Sequence, residues 1–392
     1  MGYDDRLLDR LRAVGDPSVD AVVEEVAARG EVRAVSGALR QLIDNDQPVP
    51  ADLPPSMARW LEETGELPAG VDLDRLERGC RLVVEHGPQV CLALSTASLV
   101  YCYAGYPGVK VLAFSHRMDQ DAYRRVGETA QFLLAVTAPG SLGEGGRGIR
   151  KIQKVRLLHA AIRHLVANSP RWDGAADGLP INQEDLAGTL LTFSWLVVES
   201  LEKLGVRVAP GEAEDFYYRW CVVGEMLGID PALIPPDLDA AAELSAAIKR
   251  RNHRRSDEGV LMTRALFEMH ANSLPAGFEG AAPAITRHLV GDEICEYVGL
   301  PRSRWDRLLG AQAHLRAARL LDRAQSARGP LGSLTQLVSA GMLNQRAVKM
   351  AGRRSASFAI PVPAGLQQSW TASGVFPQID SSLLELARAE EA

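Results

Sequence analysis

A neutral imidazole set mid-helix among apolar side chains has a free electron pair and little competition for it, which makes it a natural axial ligand for a haem iron. His159 occupies such a place in KIQKVRLLHAAIRHL. At about 100° per residue, Arg156 lies about 60° behind it and Arg163 about 40° ahead, so all three share one face. Guanidinium binds carboxylate in a planar fork, and two arginines beside a ligating histidine would suit the carboxylates of a haem. His164 is about 140° further round and cannot reach the same metal from this helix. The same spacing also fits a hydrogen-bonded core histidine flanked by the surface arginines of an amphipathic helix.

The preceding segment, DAYRRVGETAQFLLAV, places Arg125 and Thr129 four residues apart on one helical face. A charge and a hydroxyl there could position dioxygen above an iron. Without a cofactor the pair reads as an exposed arginine and a threonine bonded back to its own helix. His116, in FSHRMDQD, could border the same pocket or simply sit in a turn. Tyr101, Tyr103, Phe193, Trp195, Tyr217, Tyr218 and Trp220 could line an apolar cavity, but their helical spacing is also that of ordinary core. His253, in the basic run KRRNHRRSDE, could help hold an anionic group but reads first as a solvated helix end. His270, His288 and His314 have no partner at metal-ligand spacing, and GEGGRG lacks the strand and following lysine of a phosphate loop.

These residues need helices to hold them, and the chain is patterned for helices. Apolar residues recur at three- and four-residue intervals, and alternating β-branched runs are scarce, so an all-α fold is expected. A helical lead-in over residues 1–54 closes in the Pro-rich QPVPADLPPS. Helices are then expected over 56–64, 73–86, 89–103, 119–136 and 149–168. Asn182 is placed to cap a long helix that runs to a stop at Gly205, and FYYRWCVVGEMLG forms the next. Further helices are expected over 238–251, 257–273, 282–297 and 303–327, with an irregular tail from Arg353.

With 392 residues, 46% of them hydrophobic, the chain can bury a sizeable core. A net charge of −6, from 49 acids and 43 bases spread along the chain, argues against nucleic acid as a partner. Five scattered cysteines without a CxxC pair imply neither a zinc site nor a redox dithiol, and fit a reducing cytoplasmic location. The charged N-terminus carries no secretory pattern, and the stretch from Val90 to Tyr106 is polar and short enough to be a buried helix, so stable membrane insertion is not expected.

RRVGETAQFL followed by KVRLLHAAIRHL resembles the oxygenase superfamily of rubber oxygenases and mycophenolic acid biosynthesis oxygenases. NQEDLAGTLLTFSW, YYRWCVVGEMLGI, RHLVGDEICEYVGLP and RRSASFAIPVPAGLQQSW extend the resemblance over about residues 55–370, leaving 371–392 as a tail. It implies a globin-like helical core extended by helices at both ends. It also implies haem b held by His159 as proximal ligand, Arg125 and Thr129 as pocket residues, and O2 as co-substrate. The substrate implied is an apolar, isoprenoid-like or natural-product small molecule that is oxidised or oxidatively cleaved. Two departures from the family pattern stand out. No acid precedes Asp119 in GYPGVKVLAFSHRM, where rubber-cleaving members carry a glutamate, and Glu128 stands where they have a lysine. These departures keep hydroxylation, N-oxygenation and peroxidase-like chemistry open, along with a haem-binding sensor or carrier without turnover; self-association into a homo-oligomer is also left open.

Overall fold

The computed structural model describes residues 3–114, 118–271 and 279–308, and among these no strand forms. In chain order the helices are α1 (Asp5–Arg12), α2 (Pro17–Ala28), α3 (Val32–Gln41), α4 (Pro55–Glu63), α5 (Leu73–Arg78), α6 (Arg81–Ala93), α7 (Leu99–Ala104), α8 (Gly108–Leu112) and α9 (Met118–Thr137). They continue with α10 (Gly148–Ala167), α11 (Gly174–Asp177), α12 (Gln183–Phe193), α13 (Trp195–Lys203), α14 (Pro210–Met226), α15 (Leu238–Asn252), α16 (Asp257–Ala271), α17 (Ala281–Tyr297) and α18 (Arg304–Leu308). The fold is all-α, as the periodicity requires.

Helix ends follow local chemistry. Asn182 accepts a hydrogen bond from the Asp185 amide at 2.9 Å and starts α12, while Gly205, at φ +76°, ends α13 in the left-handed conformation that favours glycine. Three features depart from the sequence expectation. The long helix expected from 183 to 204 breaks at Ser194 (φ −113°, ψ −86°), whose hydroxyl bonds back to the Leu190 carbonyl at 2.8 Å. Such back-bonding competes with the helical ladder and bends it. The helix expected at 89–103 contains a π-helical turn, Leu94–Ser98, with the Ser95 and Thr96 hydroxyls both donating to the Leu92 carbonyl. Short α8 and α11 form in segments where no helix is expected. The continuation of α18 expected to 327, and the tail from 353, lie outside the described residues.

Two apolar clusters dominate the interior. The larger draws on α1, α5 to α10 and α12 to α17; the smaller joins Val19, Val22 and Val26 of α2 to Trp60 and Leu61 of α4 and to Leu157 and Ala160 of α10. The lead-in is therefore packed directly on α10. Most of the stretch from Val90 to Tyr106 is buried, and no described helix is long and apolar enough to cross a membrane.

Candidate functional site

The start of α10 is fixed from outside the helix. Arg147, at its N-cap, supplies no capping bond, and Asn45 of the lead-in takes that role: its side-chain oxygen accepts from the Ile149 and Arg150 amides at 3.0 and 3.4 Å. The buried Arg150 guanidinium then donates to the Gln47 carbonyl at 2.8 Å and to the Gln153 side chain at 2.9 Å. With its first turn pinned, α10 presents a stripe at positions 152, 155, 159, 162 and 166, spaced by three and four residues along one face. Ile152 and Val155 reach the main core, and Ile162 and Val166 join Val111, Phe114 and Trp172. His159 stands between these apolar groups, half-buried.

Desolvation, followed by the positive charge of Arg163, pushes the His159 imidazole down to about 4, although Asp16 opposes the shift. The ring is therefore neutral at ordinary pH, the form that ligates metal. No hydrogen bond to it forms among the described residues. With no side chain or carbonyl bonded to it, a ring nitrogen is left free to serve as an axial ligand to iron. The donor chemistry at His159 fits a haem.

The two flanking arginines meet carboxylates that the protein itself supplies. Arg156 forms a two-pronged pair with Asp16, donates to Ser18 at 3.1 Å, and lies over the Trp60 ring with 5.5 Å to its centroid. Arg163, its side chain only 4% exposed, pairs with Asp20 and donates to the Ile181 carbonyl at 2.9 Å. Both cations hold α2 to α10. Gly228 makes room for the first pair. It lies at φ +77°, and a Cβ added there would stand 2.6 Å from both Arg156 Nη2 and Asp16 Oδ2.

Thr129 lies on α9, which packs along α10. It borders a small apolar cavity with Val126, Ala130, Leu133 and Leu134 of its own helix and Cys91, Leu94 and Leu99 of the facing segment. The π turn begins at Leu94, so the widened backbone forms part of that wall. Arg125 occupies its expected place within α9, one helical turn before Thr129, but its side chain lies outside the described residues, as does His116. Glu128 is exposed. The four-residue spacing from Arg125 in RRVGETAQFL pointed to Thr129; nothing in the sequence pointed to Cys91, Leu94 or Leu99, which only the tertiary fold brings opposite it.

The remaining expectations sort cleanly. Tyr103, Phe193, Tyr217 and Trp220 are core residues, and the Tyr217 hydroxyl donates to the Pro235 carbonyl at 2.9 Å. His253 is not a solvated helix end: its ring meets Tyr101 edge-on at 4.4 Å, and burial pushes it down to about 3. The chain turns inward there because His253 bridges to Gly105 and Arg254 donates to the Ala104 carbonyl. His270 is also buried and pushed down to about 4 by desolvation, and His288 contacts the Lys203 carbonyl at 2.9 Å. His314 lies outside the described residues.

Comparison with known proteins places this arrangement. Residues 90–323 match the family model described as ER-bound oxygenase mpaB/B'/Rubber oxygenase, catalytic domain. The rubber oxygenase of Streptomyces sp. (strain K30) is 29% identical over 292 residues, covering 74% of this chain and 71% of that protein. The structure of latex clearing protein in the closed state superposes with a TM-score of 0.75 at 27% identity, covering 84% of this chain and 90% of that one. The matched span contains both α9 and α10, and with them Thr129 and His159; the chain belongs to the mpaB and rubber oxygenase catalytic-domain family.

Proposed function

We propose that the protein is a haem b oxygenase that uses O2 to oxidise or oxidatively cleave an apolar, isoprenoid-like or natural-product small molecule. The observation that carries this is His159: a neutral, half-buried imidazole with no hydrogen-bond partner among the described residues, on the helix beside the one bearing Thr129, within an oxygenase family. His159 acts as axial ligand, and the pairs from Arg156 to Asp16 and from Arg163 to Asp20 act as positioning contacts that fix the rotation of α10. Ile152, Val155, Ile162 and Val166 supply the apolar face of α10 on which His159 stands. Thr129 offers a hydroxyl at the edge of an otherwise apolar cavity, and Arg125 stands one turn earlier in α9. When bound, a haem b supplies the one-electron and O2 chemistry that none of these side chains can perform.

The segment before α9 contains no carboxylate, so a base for oxidative cleavage is missing from the place where the rubber-cleaving pattern has one. This favours hydroxylation or N-oxygenation as the second reading over a carrier without turnover. Incubating the haem-loaded protein under 18O2 with a panel of apolar alkenes and amines tests both. Label in a cleaved carbonyl product supports the first reading and label in a hydroxylated or N-oxygenated product the second. A stable oxygen complex with no labelled product from any substrate overturns turnover altogether.

A further inference from the structure

A second constellation lies away from α9 and α10. Glu85, His86 and Glu212 offer three ligand atoms that all lie within 4.8 Å of one another. Glu85 and His86 are sequence neighbours, which a regular helix would point about 100° apart. The backbone at His86 leaves the helical region (φ −120°, ψ 26°), with Pro88 two residues on, and α6 kinks there. Glu212 comes from the first turn of α14, which packs against α6. The His86 and Glu212 side chains are only 12% and 16% exposed.

Their polar atoms are poorly served by the protein. His86 Nε2 stands 4.0 Å from Glu212 Oε1, too far for a hydrogen bond. His86 Nδ1, Glu212 Oε1 and the Gln89 side-chain oxygen are all buried with no hydrogen-bond partner. Three orphaned buried atoms within four residues of a kink and on the helix facing it are costly to leave unpaired. A tetrahedral ion with bond lengths of about 2.0–2.2 Å puts neighbouring donors about 3.3–3.6 Å apart, so a side-chain shift of a few tenths of an ångström brings this pair into ligating range.

We propose that Glu85, His86 and Glu212 form a site for a divalent transition cation of the zinc class that clamps the kink of α6 to the start of α14. One imidazole and two carboxylates make a three-ligand set of the kind zinc accepts, leaving a coordination position for water. Ligation through Nε2 would fix the proton on Nδ1, the tautomer that a metal-bound imidazole adopts. The site is separate from the haem assignment, because it uses no residue of α9 or α10.

The test is equilibrium dialysis of the chelator-treated full-length protein against Zn2+, with the metal counted in wild type, Glu85→Gln, His86→Ala and Glu212→Gln. The expected result is one zinc per chain in wild type beyond the number in His86→Ala and Glu212→Gln, and at least tenfold weaker binding at that site in Glu85→Gln. Zinc should also raise the thermal unfolding midpoint of wild type and leave that of His86→Ala unchanged. Glu85 is exposed, so Glu85→Gln folds and decides the matter if the buried substitutions do not. Equal zinc content and affinity in wild type and Glu85→Gln, or no zinc bound by wild type, overturns the proposal.

Discussion

At the residue scale, His159 and Thr129 have different work, and substitution separates them. Thr129→Val keeps size and burial but removes a hydroxyl, so it should retain haem and lower oxygen turnover by about a hundredfold, the cost of removing one preorganised donor. Unchanged turnover by oxygen-electrode measurement would remove Thr129 from the chemistry. Gly228→Ala tests the support of α10: a Cβ at φ +77° is strained and collides with the pair between Arg156 and Asp16. A destabilisation of about 1–3 kcal/mol is expected by urea titration. His159 was legible in the sequence because an imidazole among leucines, alanines and isoleucines is conspicuous. The partners of Arg156 and Arg163 were not, because Asp16 and Asp20 lie about 140 residues away and a helical wheel shows only which face a cation occupies, never what it meets.

At the element scale, buried polar side chains set how the helices join. The Arg219 guanidinium, on α14, donates to the Leu76, Val136 and Ala138 carbonyls and to the Ser141 hydroxyl, tying together α5, the end of α9 and the loop beyond it. Arg219→Met would fill the volume and leave three carbonyls without donors, a loss of about 3–5 kcal/mol in a denaturant titration. A loss under about 1 kcal/mol would mean that water replaces the bonds. The positions of most helices followed from periodicity and from caps such as Asn182. Their interruptions did not: Ser194, Ser95 and Thr96 each spend a hydroxyl on a carbonyl of their own helix, and a serine or threonine in an apolar run carries no mark of whether it will do so.

At the scale of the whole molecule, acid should loosen the fold. Burial holds His159, His253 and His270 at about 4, 3 and 4, so the unfolded chain takes up protons below about 6.5 that the folded chain refuses. Their contribution is intact above about 6.5 and is lost as pH falls toward 4. Asp185 works the other way: burial raises it to about 7, so the folded chain keeps a proton there that the unfolded chain has shed. Three groups outweigh one, and the urea midpoint should fall between pH 6.5 and 4.5, with a shallower fall in His270→Phe. A flat profile would mean that these rings are hydrated. The lead-in also belongs to this scale. Glu184, fully buried, accepts from Arg12 of α1 and from Arg251 of α15, which also reaches Asp5 and Asp9, so removal of α1 would take from this buried carboxylate one of its two cations. The Pro-rich connector marked residues 1–54 as a lead-in, because it is visible in sequence and these long-range ion pairs are not. The central claim is that His159 holds haem b, and absorption spectra of the oxidised and reduced protein, with a pyridine haemochrome assay on wild type and His159→Ala, test it most directly. A b-type spectrum in wild type that disappears in a folded His159→Ala is the predicted result; a spectrally unchanged haem in the variant, or a wild type that takes up no haem on reconstitution, would contradict it.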